Sequence, residues 1–169
     1  MKYMRVYGKW IVFIVVIWIY VIFDQTYDLK KIPEEFNVMD PAVKAEKYTW
    51  IHSISSIKDL KKGRSVVQFR YHLPWGEEGT PTNVFLYSRV VGVEGDTVEI
   101  KKGQIYVNGD VLDIPQAQKV SEDDNLAPIL VPRGYVYVVN DHRISPQSYH
   151  WDSRMLGPIH YSLIAGVVN

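Results

Sequence analysis

The chain has no cysteine, which excludes disulfide frameworks, thiolate nucleophiles and thiolate metal sites. Export is still open to it, since a single core can fold without cross-links. It also has no net charge, with 19 lysines and arginines against 19 aspartates and glutamates. Nothing in the overall balance therefore argues for nucleic acid or for a general attraction to anionic surfaces. Internal repeats and low-complexity tracts are missing. The histidines His52, His72 and His142 read as surface or turn residues, with no spacing that suggests a metal site. At 169 residues and 47% apolar side chains, the chain can bury one core and hardly two, so a single folded unit is expected.

What is present begins at the N-terminus. Lys2, Arg5 and Lys9 lead into "WIVFIVVIWIYVIF", Trp10 to Phe23, which Asp24 closes before the polar "DQTYDLKK". The apolar run is shorter than the roughly 20 residues of a spanning helix and overlaps in length with a signal-peptide core or a buried helix. Length leaves all three open. Three further features select an uncleaved signal-anchor: Lys9 can snorkel so that Val6 to Gly8 extend the span, Trp10, Trp18, Tyr20 and Tyr27 suit interfaces, and no small-x-small cleavage site follows Phe23. The positive-inside rule then assigns residues 1–9 to the cytoplasm, 10–25 to a single-pass anchor in the cell membrane, and 26–169 to an extracytoplasmic β domain.

Beyond the anchor the pattern is all-β. "SVVQFRY", "VFLYSRVVGV", "TVEI", "QIYVNGDVL" and "GYVYVVN" are rich in Val, Ile, Tyr and Phe, and Gly, Asn, Asp and Pro punctuate them. Asn108-Gly109 is a strong short-range hairpin signal. In "GVEGDTVEI", Gly92 and Gly95 are expected at a tight turn that needs positive φ. Residues 115–132, acidic in the middle, are expected to form a loop across the barrel. Trp50 and Trp75 suit either barrel packing or an interface with the bilayer.

"LYSRVVGVEGDTVEIKKGQIYVNGDVL" (86–112) resembles the conserved-box strand and hairpin of type I signal peptidases, membrane-anchored serine proteases that remove signal peptides. "VPRGYVYVVNDHR…WDSRMLGPI" (131–159) is similar to that family's last box. "VMDPA" (38–42) and "KGRSVVQF" (62–69) complete the order. The resemblance implies coiled antiparallel β-sheets on the outer membrane face and a peptide cleft lined here by Phe36, Met39, Asp40, Pro41, Val43, Leu86 and Tyr87. It further implies a structural motif of Arg89, Gly92, Gly95, Asp96, Asp141, Arg143, Asp152, Ser153 and Arg154. Family members use a Ser–Lys dyad in which a buried, neutral lysine takes the proton of the nucleophile.

Both dyad positions are altered. Val38 stands for the serine and has nothing to attack with; Ser88 stands for the lysine and is no general base at neutral pH. Arg89 stays charged and cannot replace the lysine. Phe36 falls where a small residue usually borders the substrate pocket, and Arg64 replaces an aspartate. In the last box Asn140 replaces Gly and His142 replaces Asn. Counting back from Asp152, His150 coincides with the lysine-supporting serine, so a relocated Ser88–His150 pair is the enzymatic alternative. The expectation is a non-catalytic relative without cofactor or metal, similar to pilus-associated members in Gram-positive bacteria. Its expected partners are the membrane and an exported preprotein or pilin-like client, with sortase or an active signal peptidase as further candidates. A structural subunit of a secretion complex is the third reading.

Overall fold

The computed structural model describes residues 2–32, 39, 47–54, 56–73, 82–114, 119–143 and 151–168. A helix, α1 (Lys2–Thr26), leads directly into strand β1 (Tyr27–Lys31). From Trp10 to Phe23 it is apolar on every side and each side chain is at least 40% exposed. Among the described residues no helix is long and apolar enough to cross a membrane. The run from Trp10 to Phe23 rises only about 21 Å at about 1.5 Å per residue, against a hydrocarbon core of about 30 Å.

The strands that follow are β2 (Tyr48–His52), β3 (Val66–Leu73), β4 (Thr82–Val93), β5 (Thr97–Lys101), β6 (Gln104–Val107), β7 (Asp110–Val111), β8 (Lys119–Val120), β9 (Leu126–Leu130), β10 (Tyr135–Val139) and β11 (His142–Arg143). A short helix, α2 (Ser153–Leu156), precedes β12 (Ile159–His160) and β13 (Ile164–Val168). The chain is mainly β. One sheet has the order β1-β2-β13-β3-β4-β10-β12, a second β7-β6-β5-β9, and β11 pairs with β8. The last pairing is parallel, whereas the ladders of the larger sheets are antiparallel.

β4 organises the interior because successive side chains of a strand face opposite ways. Leu86 and Val90 join Val67, Phe69, Val136 and Val138 in the main core. Val91 enters a second core with Val98, Ile100, Ile105 and Tyr137. Tyr87 packs with Ile32, Met39, Ile51 and Val66 in a third cluster. Three strands separate β1 from β4 in the sheet order, yet Lys30 Nζ of β1 lies 4.7 Å from the centroid of the Phe85 ring on β4. The large sheet therefore coils back on itself and brings the end of β1 to β4 across a seam.

The turn chemistry is partly as read. Asn108 and Gly109 both have positive φ, 55° and 90°, as the tight β6–β7 turn requires. Gly95 has φ 85°. Gly92 corrects the expectation: it lies inside β4 rather than in the turn. Its reason is space, since a Cβ there would stand 2.5 Å from Val98 Cγ2. Residues 115–132 are likewise not simply a loop, because β8 and β9 fall within them and β9 pairs with β5. Pro128 is tolerated in β9 because that strand is an edge of its sheet. Of the histidines, His72 is exposed on β3, whereas His142 is half-buried on β11.

Candidate functional site

β3 covers one edge of β4 from Thr82 to Arg89. β10 covers the other edge only from Arg89 to Val93, so at Asn83–Phe85 no described strand pairs with β4 on that side. Val90 donates its N–H to Ser65 O at 2.9 Å and accepts from Gly63 N at 2.8 Å. Backbone groups alternate in direction along an antiparallel ladder, so those of Phe85 turn away from β3 toward the seam.

Ser88 is fully buried, and its hydroxyl donates to Asn140 Oδ1 at 2.8 Å. An amide oxygen accepts that hydrogen bond but does not remove the proton at neutral pH. Asn140 is itself fixed, donating its backbone N–H to Asp152 Oδ2 at 2.8 Å. Sequence reasoning registered Asn140 only as a departure from glycine. The structure makes it the hydrogen-bond partner of Ser88.

Around this pair the last box forms a buried ionic frame. Arg89 donates from Nε to Asp141 Oδ1 at 2.6 Å and from Nη2 to Oδ2 of the same carboxylate. Its Nη1 reaches the carbonyls of Arg64, at 3.0 Å, and Gly63, at 3.3 Å. This bidentate pair ties β4 to the turn before β3 and to the chain after β10. Asp152 caps α2 by accepting from Arg154 N at 3.0 Å, and Ser153 Oγ accepts from Val138 N at 2.9 Å. Arg154 pairs with Asp152 at 2.7 Å and with Asp124 at 3.0 Å. Arg143 shares the same Asp124 oxygen at 3.1 Å. Burial would lower the pKa of Arg154, but the hydrogen bonds and charge of Asp152 outweigh it and raise the value. For Arg143 burial wins over Asp124, and the value falls.

Asp96 closes the β4–β5 turn, accepting from Val93 N at 2.9 Å, Asn108 Nδ2 at 2.8 Å and Lys62 Nζ at 3.1 Å. Burial acts to raise its pKa, yet these three donors together hold the carboxyl below its ordinary range.

Of the expected cleft residues, Met39 and Tyr87 are brought together. Leu86 is not: it points into the main core, as the neighbour of Tyr87 on a strand must. Tyr87 accepts a hydrogen bond on its hydroxyl from Gln68 Nε2, and burial raises its pKa, with the charge of Asp28 adding to the effect. Phe36, Val38, Asp40, Pro41, Val43, Trp75 and His150 lie outside the described residues. Among the described residues no cluster of His, Asp or Glu could hold a metal ion.

A family model described as signal peptidase, peptidase S26, matches residues 7–169. The chain belongs to this signal peptidase family. Signal peptidase I V of Bacillus subtilis (strain 168) is 34% identical over 102 residues, covering 53% of this chain and 58% of that protein. Thylakoidal processing peptidase 1, chloroplastic, of Arabidopsis thaliana is 33% identical over 97 residues, 56% of this chain and 26% of that protein. The chain thus spans little more than half the length of the first of these relatives and about a quarter of the second. A crystal structure of a signal peptidase I from Enterococcus faecalis V583 aligns with a TM-score of 0.43 at 25% identity, over 65% of this chain and 99% of that one.

In this member of the signal peptidase family the described motif residues make contacts that hold the strands and turns together. Arg89, Asp141, Asp152, Ser153 and Arg154 pin β4 and β10 to α2, while Gly92, Gly95 and Asp96 shape the turn into β5. Asp124 was missed because it sits in the acidic stretch read as a loop. Gln68 was missed because a polar residue at the centre of an apolar strand carries no motif.

Proposed function

We propose that this chain is a membrane-anchored, non-catalytic member of the signal peptidase family that holds an exported polypeptide as an added strand beside β4, and so assists secretion or pilus assembly. The observation that carries this reading is the state of Ser88, buried with its proton donated to an amide oxygen on a strand whose seam-side edge has no described partner at Asn83–Phe85. Strand addition needs main-chain hydrogen bonds and no nucleophile. The candidate clients are an exported preprotein or pilin-like precursor, with its sortase or an active signal peptidase as associated factors.

The membrane part rests on α1 and the surface it joins. A helix apolar on all sides belongs in a core or in lipid, and no described part of the chain buries Trp10 to Phe23. Tyr27, Leu29, Tyr48 and Trp50, exposed by 37, 48, 68 and 43%, continue this surface along the outer face of β1 and β2, where register sets Leu29 opposite Trp50. Aromatic side chains of this kind suit the level of the lipid headgroups. A span longer than the apolar run is needed for this reading, and long basic side chains flanking such a run can supply it by snorkelling. By the positive-inside rule, the basic residues before it support a cytoplasmic N-terminus and a β domain outside.

The relatives are named as peptidases, which favours a second reading, an active signal peptidase; in this chain that reading would need Ser88 and His150 to replace the dyad. A photo-crosslinking amino acid at Phe85 of the full-length protein in membranes separates the two. The non-catalytic reading predicts a crosslink to an exported precursor of uncleaved size. Crosslinks that arise from α1 alone, with none at Phe85, would overturn the seam as the binding site.

A further inference from the structure

The mouth of the seam carries an arrangement that neither the fold nor the dyad explains. Lys30 Nζ lies 4.7 Å and Arg70 Cζ 5.6 Å from the centroid of the same Phe85 ring, and that ring is 36% exposed. The ring attracts each cation only weakly at such exposure, and the two like charges gathered around it repel. Asp28 pairs with Lys30 at 3.0 Å. Among the described residues no carboxylate pairs with Arg70, so the group holds two cations and one anion.

Resting on the strand-addition reading, we infer that Lys30, Arg70 and Phe85 form a subsite for an acidic side chain of the client strand. A strand added beside β4 sets a side chain about 4.5–5.5 Å from the one directly opposite. A glutamate there lays its methylenes on the Phe85 ring and its carboxylate between the two cations. The client is therefore an extended segment with an acidic residue among β-forming ones. Lipid phosphate is the other anion within reach of a membrane-proximal site. The exposed apolar residues Tyr27, Leu29 and Trp50 lie on the opposite face of β1 and β2 from Asp28, Lys30 and Ile51, so the bilayer-facing side and the cation-bearing side differ.

The test uses full-length protein in zwitterionic nanodiscs. The probes are fluorescein-labelled nonapeptides of alternating Thr and Val in which one Glu is moved along the chain, each with its Gln counterpart. At low salt the best Glu peptide should bind about three- to fivefold more tightly than its Gln partner. Arg70→Gln should abolish that preference, and Arg70→Glu should turn it toward a Lys peptide. Equal binding of Glu and Gln peptides would overturn the inference and leave the seam reading standing. Failure of every peptide to bind would overturn both. Loss of binding to phosphatidylglycerol vesicles in Arg70→Gln, with the peptide preference unchanged, would assign the cations to lipid and overturn it too.

Discussion

Ser88 stands where the resemblance to the family puts a lysine, and the structure predicts that the protein tolerates Ser88→Lys poorly. Ser88 Oγ stands 2.8 Å from Asn140 Oδ1, and both residues are buried, at 0 and 4% exposure. Lysine puts a methylene where the hydroxyl is, too close for a carbon against that oxygen, and then adds three more heavy atoms along the path that Asn140 fills. Overpacking of this kind costs about 1–3 kcal/mol, and loss of the serine hydrogen bond about 1 kcal/mol. At about 2–4 °C per kcal/mol for a domain of this size, Ser88→Lys should melt about 4–16 °C below wild type. Asn140→Gly opens the space, so the double variant should be more stable than the sum of the single effects by about 1–2 kcal/mol. Thermal melts of the four full-length proteins in detergent complete the cycle. Ser88→Lys melting with wild type, or an additive cycle, would refute the argument that Asn140 occupies the lysine's place.

Three other outcomes follow from the same geometry. Gly92→Ala sets a methyl 2.5 Å from Val98 Cγ2, and urea denaturation should show a loss of about 1–3 kcal/mol. Because the carboxyl of Asp96 is held below its ordinary range, its contribution is complete above the unfolded value near 4 and disappears as pH falls through the lower folded value; Asp96→Asn should flatten this acid limb in denaturation measured from pH 7 downward. Arg154→Ala leaves Asp152 and Asp124 without one shared donor and should cost about 1–3 kcal/mol in the same assay. Arg154→Lys should recover only part of it, since an ammonium cannot reproduce the forked contact.

The long β-branched strands were legible because their side chains carry the pattern. β4 and β10 fall on "VFLYSRVVGV" and "GYVYVVN" within a residue or two, and "QIYVNGDVL" holds β6, the Asn108-Gly109 turn and β7, the turn following from its chemistry. β13 was not legible. It runs between β2 and β3 through Gly166, where a Cβ would meet His52 O at 2.6 Å, so closeness of backbones erases the side chain a pattern needs. β9 was hidden by Pro128 and by the acidic residues before it. In the site, position in a motif identified Ser88, Arg89 and Asp152, but motif alignment cannot say what a substituted residue touches. That Asn140 meets Ser88 depends on β10 lying beside β4, a pairing 52 residues apart in sequence. The Lys30–Phe85 contact is equally non-local, a product of the coiling of the whole sheet.

Whether the family scaffold is kept for binding and not for cleavage is decided by processing of a preprotein in lipid vesicles by the full-length protein and by Ser88→Ala. No cleavage above a protein-free control is expected from either, with the precursor still captured by a crosslinker at Phe85. Cleavage at a signal-peptide junction that Ser88→Ala abolishes would contradict this expectation.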